Sequence, residues 1–258
     1  MGDGQRGVLD LEGRRALVTG GSRGVGRAVA LLLARAGADV AIGYRSREEE
    51  AEATVDAIRA MGRRACRQAG DLTRMEDVRA LFARTEEELG GLDAVVVNHG
   101  VWPAEEVPIT SMTEEQWHRT VEVNLNAVFL LAREAGKRIE PGGSLVLLSS
   151  TAGQRGEAYH TDYAATKAGV IGIVKSLGVE LAPRHITVNA VAPGWVDTEM
   201  AEPAFRRHGR EALETGIPRG QVASPEDVAG PVVFLTSPLA RHITGEVLNV
   251  NGGAVLAG

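Results

Sequence analysis

Tyr163 and Lys167 stand four residues apart in Tyr163-Ala164-Ala165-Thr166-Lys167, the spacing that places two side chains on one face of a helix. A free phenol titrates near ~10 and is a poor acid or base at neutral pH. A neighbouring ammonium favours the phenolate and lowers that value, which suits proton exchange with a substrate oxygen. Ser149 and Ser150 close a β-like run just upstream, and a hydroxyl there can hydrogen-bond the same oxygen. A Tyr–Lys pair at this spacing is also common on solvated surfaces, so its meaning depends on its company.

A second constellation lies near the start. Thr19-Gly20-Gly21-Ser22-Arg23-Gly24-Val25-Gly26 follows a β-like run and opens an apolar helical pattern. Glycines at Gly20, Gly24 and Gly26 let the backbone turn tightly and approach a pyrophosphate. The helix start then offers free N–H groups and a positive dipole end to that anion. A purely structural glycine loop is the rival reading, and the strand–turn–helix context favours a dinucleotide.

The second strand decides which dinucleotide. An acidic residue at its tip would accept hydrogen bonds from the adenosine ribose of NAD. Here the tip reads Gly43-Tyr44-Arg45-Ser46, with no carboxylate. Arg23, Arg45 and the Ser46 hydroxyl can bind a 2′-phosphate instead. NADP(H) is the favoured cofactor and use of NAD(H) stays open. The rival view is that Arg45 and Arg47 are solvated and pair only with Glu48 or Glu49.

These residues need a scaffold, and the chain alternates short strands with longer helices. Strands are expected at 16–19, 39–44, 65–68, 93–98, 144–149, 186–191 and 247–250. Helices are expected to about 36, then over 48–60, 75–89, 113–138, 163–181 and 225–236. This order predicts an α/β fold: a single-domain, Rossmann-type, doubly wound parallel sheet of about seven strands with helices on both faces. No linker or repeat divides the chain, so one dinucleotide-binding and catalytic domain is expected over residues 1–258. Residues 199–220, with short helical stretches and Gly209, Gly216 and Gly220, read as a mobile lid over a site or as a surface excursion.

Taken in order, TGGSRGVG, Asp71-Leu72, Asn98-His99-Gly100, Asn124, Ser150, YAATK and Pro193-Gly194 resemble the short-chain dehydrogenases/reductases. The resemblance runs from about residue 11 to 253 and includes the endings Ile243-Thr244-Gly245 and Asn251-Gly252-Gly253. It implies a catalytic tetrad of Asn124, Ser150, Tyr163 and Lys167. Ser150 is preferred to Ser149 because it precedes the tyrosine by the family's interval. By the same resemblance, Tyr163 exchanges the proton, Ser150 polarises the oxygen, Lys167 also holds the nicotinamide ribose, and Asn124 anchors a water that resupplies protons. Asp71 and Leu72 would contact adenine, and Asn98 and Gly100 would line the cofactor channel. Pro193, Gly194, Val196 and Thr198 would position the nicotinamide. His99 departs from the family's usual Asn-Ala-Gly; it either touches cofactor or proton flow, or merely packs locally.

Within that family the likeness is to 3-oxoacyl-(acyl carrier protein) reductases, which implies a small-molecule or carrier-bound carbonyl substrate. Sugar, polyol or secondary-alcohol dehydrogenases are the alternative, and a non-catalytic dinucleotide-sensing or scaffold protein is a third. Trp102, Gln154, Tyr159, His160, Trp195 and Met200 are candidate pocket residues. Arg133, Lys137 and Arg138, or Arg206, Arg207 and Arg210, could form a basic patch for an acidic carrier, although a solvated face explains either cluster. A homotetramer is implied, with Ala164, Ala168, Gly169 and Gly172 allowing close helix approach. The 258 residues carry 44% hydrophobic and 24% charged side chains and a formal net charge of −6, which argues against a nucleic-acid surface. The single Cys66 permits no intrachain disulfide, no zinc-ligand spacing appears, and neither a signal segment nor a membrane span is evident. A cytoplasmic setting and no bound metal are the resulting expectations.

Overall fold

Period-two burial along each strand builds two cores from one sheet. In β1 (Arg15–Thr19), Ala16 and Val18 face one side while Leu17 faces the other. The same alternation sends Val40 and Ile42 of β2 (Asp39–Tyr44) to the first side and Ala41 to the second. Both faces are therefore apolar, as a fully covered parallel sheet requires. The computed structural model describes residues 9–256, so the first eight and last two residues of the expected domain lie outside the described residues.

The other strands are β3 (Ala65–Ala69), β4 (Ala94–Val97), β5 (Ser144–Leu148), β6 (Thr187–Pro193) and β7 (Val247–Val250). They form one seven-stranded sheet in the order β3-β2-β1-β4-β5-β6-β7, and every pairing is parallel. One face is covered by α1 (Gly24–Arg35), α2 (Glu48–Ala60) and α10 (Pro225–Thr236). The other is covered by α3 (Met75–Leu89), α5 (Ala127–Arg138) and α7 (Thr161–Glu180). The strand order reverses between β1 and β4, which opens a crevice at the carboxyl edge where ligands bind in such folds.

Two local features differ from the sequence expectation, and a third gives it definite bounds. The helix expected over 113–138 is interrupted: α4 (Glu114–Val121) passes through a π-helical turn, Glu122–Asn126, into α5. The extra residue in that turn leaves the apolar pattern on either side intact, so periodicity does not reveal it. A short helix, α6 (Thr151–Arg155), follows β5 because Ser150 caps it. The segment expected as lid or excursion folds as α8 (Glu202–His208) and α9 (Arg210–Thr215). Among the described residues, no helix is long and apolar enough to cross a membrane.

Candidate cofactor and catalytic site

The glycine turn is built for close approach. Gly20 and Gly24 have φ of +67° and +52°, a region that favours glycine. A Cβ on Gly26 would lie 2.1 Å from the Gly20 carbonyl oxygen, so this glycine packs the helix against the turn. No side chain caps α1 at Arg23, which leaves its first N–H groups available to an anion. These features fit a dinucleotide pyrophosphate.

A cavity of about 640 Å³ opens in front of this turn, a volume suited to a cofactor and a small substrate. Gly20, Ser22, Arg23, Gly24 and Val25 line it from the turn, and Arg45 and Ser46 from the tip of β2. Asp71 and Leu72 reach it after β3, and Asn98 and Gly100 after β4. Pro193, Gly194, Val196 and Thr198 close it beyond β6, while Ser150, Tyr163 and Lys167 form its inner wall. Two expected residues stand behind the wall. They are Gly26, whose role is packing, and Asn124.

Asn124 is fully buried in the π-turn. Its Oδ1 accepts from the Val101 amide at 2.8 Å, and its Nδ2 donates to the Val101 carbonyl at 2.7 Å. Both polar ends of the side chain are thus committed to holding the loop after β4. A Cβ on Gly100 would sit 3.1 Å from Asn124 Oδ1 and 3.6 Å from Lys167 Nζ, so the loop, the π-turn and the lysine meet at one point.

The two serines divide their tasks. Ser149 is buried and donates to the Lys167 carbonyl at 2.9 Å. Ser150 accepts from the Ala152 amide at 3.2 Å and hydrogen-bonds Tyr163. The geometry therefore singles out Ser150 as the serine beside the phenol. Lys167 donates to the Leu148 carbonyl at 2.9 Å, with Nζ 5.7 Å from the centre of the Tyr163 ring.

The electrostatics differ from the simple Tyr–Lys expectation. Burial pushes the Tyr163 phenol up to about 12, and the Ser150 hydrogen bond opposes that only in part. Burial pushes the Lys167 ammonium down to about 8. Desolvation outweighs the mutual stabilisation that the spacing suggested. The result is a phenol that keeps its proton at neutral pH.

His99 is placed by Thr19. The Thr19 hydroxyl accepts from the Asn98 and His99 amides at 3.0 and 3.2 Å and lies 3.1 Å from His99 Nδ1. With its acceptor positions filled, it donates to Nδ1, which assigns the imidazole proton to Nε2. Buried Nε2 makes no well-formed hydrogen bond, although the Val123 backbone in the π-turn favours a proton there. Burial, reinforced by the Lys167 charge, pushes the imidazole down to about 4, so it is neutral. His99 also lines the cavity, so its position suits local packing and contact with a bound cofactor alike.

At the substrate end the structure sorts the candidates. Trp102, Trp195 and Met200 line the cavity. Trp102 meets Trp195 edge-on at 5.8 Å, and His160 stacks behind Trp102 at 4.7 Å. Gln154 turns away to donate to Asn249 at 2.7 Å, and Tyr159 is 52% exposed with φ of +66°. Sequence reasoning passed over Glu157, which lines the cavity and hydrogen-bonds Trp102; burial raises its carboxyl. It also passed over Glu199. Neither belongs to a motif, so only the fold brings them in.

The basic clusters are largely neutralised. Lys137 and Arg138 pair with Glu134, and Arg133 lies over the Phe129 ring. Arg206 pairs with Glu202, and Arg210 with Asp197 and Glu214. Arg207 and His208 of α8 reach across to Glu106, at 3.9 and 2.8 Å. Among the described residues, no group of His, Cys, Asp and Glu is arranged to hold a metal.

Comparison with known proteins decides the family. The model of a family described as enoyl-(acyl carrier protein) reductase matches residues 20–255. The 3-oxoacyl-[acyl-carrier-protein] reductase FabG of Vibrio cholerae is 40% identical, over 95% of this chain and 98% of that one. This chain belongs to the short-chain dehydrogenase/reductase family. Its relatives in that family vary in substrate: an L-rhamnose 1-dehydrogenase (NAD(P)(+)) of Sphingomonas is 37% identical, over 94% of this chain and 96% of its own. A short-chain dehydrogenase from Burkholderia cenocepacia, solved in complex with NADP, superposes with a TM-score of 0.88. It is 40% identical, and the match covers 95% of this chain and 98% of that one. The chain is accordingly a short-chain dehydrogenase/reductase enzyme that uses a nicotinamide dinucleotide, and the non-catalytic alternative falls away.

Proposed function

We propose that this enzyme is an NADPH-dependent ketone reductase acting on a 3-oxoacyl thioester or related carbonyl, with Asn124, Ser150, Tyr163 and Lys167 as its catalytic group. The carrying observation is geometric: Tyr163 hydrogen-bonded to Ser150, with Lys167 Nζ 5.7 Å from the centre of the phenol ring, all on the wall of one cavity. A nicotinamide cofactor held by the glycine turn and the residues beyond β6 would contribute hydride transfer when bound. Ser150 donates to the carbonyl oxygen and holds it within reach of Tyr163. The phenol gives its proton to that oxygen as charge develops there. Lys167, anchored on the Leu148 carbonyl, presents an ammonium to the same region. Asn124 holds Val101 and so positions the loop facing the cofactor; its further role in proton resupply rests on the family resemblance.

The absence of a carboxylate at the tip of β2, with Arg23, Arg45 and Ser46 on the cavity, supports NADPH over NADH. The NADP-bound relative agrees with that preference, and the 3-oxoacyl-[acyl-carrier-protein] reductase relatives agree with a carrier-bound substrate. Trp102, Trp195 and Glu157 support a second reading. Aromatic walls and a carboxyl suit a polar ring, so a sugar or cyclic alcohol oxidised by the same group is the alternative substrate.

A paired titration with NADPH and NADH, followed by turnover of acetoacetyl thioester against sugars and cyclic alcohols, tests both. NADPH preference with fast thioester reduction supports the first reading. Cofactor binding with turnover only of sugars or alcohols replaces it with the second. Binding of neither cofactor defeats the site itself.

A further inference from the structure

Three arginines face the adenosine end of the cavity, and each already has a carboxylate. Arg45 approaches Asp71 at 3.9 Å, and Arg47 bonds Glu50 at 2.9 Å. Glu199 takes the third place: its carboxylate pairs with Arg23 and also lies 3.4 Å from Arg47. Glu199 thus draws together one guanidinium from the glycine turn and another from the loop after β2. A 2′-phosphate read by Arg23, Arg45 and Ser46 would compete with Glu199 for Arg23 and would sit beside Arg47, which lines the same cavity, because arginine binds such an anion through two N–H groups at once.

The three carboxylates are not held alike. Asp71 is fixed by the Thr73 amide and hydroxyl at 3.1 and 2.8 Å. Glu50 lies within α2. Glu199 lies in neither helix nor strand, between Thr198 and α8. Its ion pairs among the described residues are those with Arg23 and Arg47. It is exposed, so each pair is individually weak and open to exchange.

We propose that Glu199 is a built-in stand-in for the 2′-phosphate, which NADPH must displace and NADH need not. The inference rests on the NADPH reading above and adds a specificity determinant to it. Glu199 holds the arginines in place while the cavity is free, and lowers the affinity that they would otherwise give a phosphate. The residue that follows Thr198 then sets the strength of cofactor discrimination, not only the residues at the tip of β2.

The test is calorimetric titration of the full chain with NADPH and with NADH, for the wild type, Glu199→Gln, Glu199→Ala, Arg23→Gln, Arg45→Gln and Arg47→Gln. Removing two exposed ion pairs predicts NADPH binding about 3- to 10-fold tighter in both Glu199 variants. NADH affinity stays within about twofold, since no phosphate competes there. Arg47→Gln weakens NADPH about 10-fold and spares NADH. If the Glu199 variants leave NADPH unchanged, weaken it, or shift both cofactors together, the stand-in role is overturned. If they weaken NADH alone, Glu199 is a ribose acceptor and the proposal again fails. A wild type without NADPH preference, with Arg23→Gln, Arg45→Gln and Arg47→Gln also without effect, would defeat the phosphate reading itself. Arginine variants that lose NADPH beside a silent Glu199 would defeat only the stand-in.

Discussion

Burial, more than charge pairing, sets the protonation states of the central side chains. Tyr163 rises to about 12, Lys167 falls to about 8 and His99 to about 4, each toward its neutral form. A protonated phenol is the correct state for reducing a carbonyl. Tyr163→Phe should therefore lower kcat by about 10²- to 10⁴-fold while NADPH titration shows affinity little changed; equal turnover would remove Tyr163 from the mechanism. His99 gives a second residue-level outcome. An unfolded histidine titrates near ~6.5, so between that value and about 4 the unfolded chain binds a proton that the folded chain refuses. Stability must then fall as pH falls through this window. Thermal unfolding of the wild type and His99→Ala from pH 7 to pH 4.5 should show the wild type losing Tm faster, so that the curves converge. Parallel curves would mean that His99 is not held neutral in the folded enzyme.

At the scale of elements, glycines separate packing from propensity. Gly26→Ala would drive a methyl to 2.1 Å from the Gly20 carbonyl oxygen. The glycine turn must then shift, and both Tm and binding of either cofactor should drop; a variant that binds normally would show the turn to be more yielding than its geometry implies. Gly172 in α7 has nothing within 4 Å of an added Cβ, so Gly172→Ala should stabilise the isolated fold by about 0.5–1 kcal/mol, measured by denaturant unfolding. The same contrast explains what could be read beforehand. The central strands were readable because continuous apolar runs such as Ala94–Val97 are buried on both faces, whereas β3, with Arg67 and Gln68 inside it, left a weaker signal. The residues Gly20, Tyr163 and Lys167 were readable because their chemistry and spacing are local. The π-turn was not, since an extra residue between two well-patterned helices leaves no mark on the apolar period. Glu157 and Glu199 were not readable either. Each meets the cavity from a loop whose course depends on distant contacts, such as the Val107 amide donating to the Tyr159 carbonyl at 3.0 Å beside Glu157.

Across the whole molecule, the small residues of α7 have unequal duties, and that inequality bears on assembly. Ala164 is buried, and a Cβ on Gly169 would meet Leu125 of the π-turn at 2.8 Å, so these two serve contacts within the chain. Ala168 and Gly172 are exposed on the same helix, and Val179 beyond them is 76% exposed. On α5, Phe129 is also exposed. A small and apolar outer face on helices that cover the same side of the sheet suits close helix packing between subunits. This supports the proposal of a homotetramer assembled in part through α7. Ala168→Glu and Val179→Asp place charge on that face without disturbing the core, because neither side chain is buried. Sedimentation velocity should find the wild type as a tetramer and the double variant as smaller species that retain the wild-type circular dichroism. Gly172→Ala adds a finer reading of the same interface: a subunit packed against this glycine would be pushed away, so the gain expected in the single fold should turn into weaker assembly. A wild type that sediments as a stable monomer would refute the tetramer, and Gly172→Ala would then act as a simple helix-stabilising substitution.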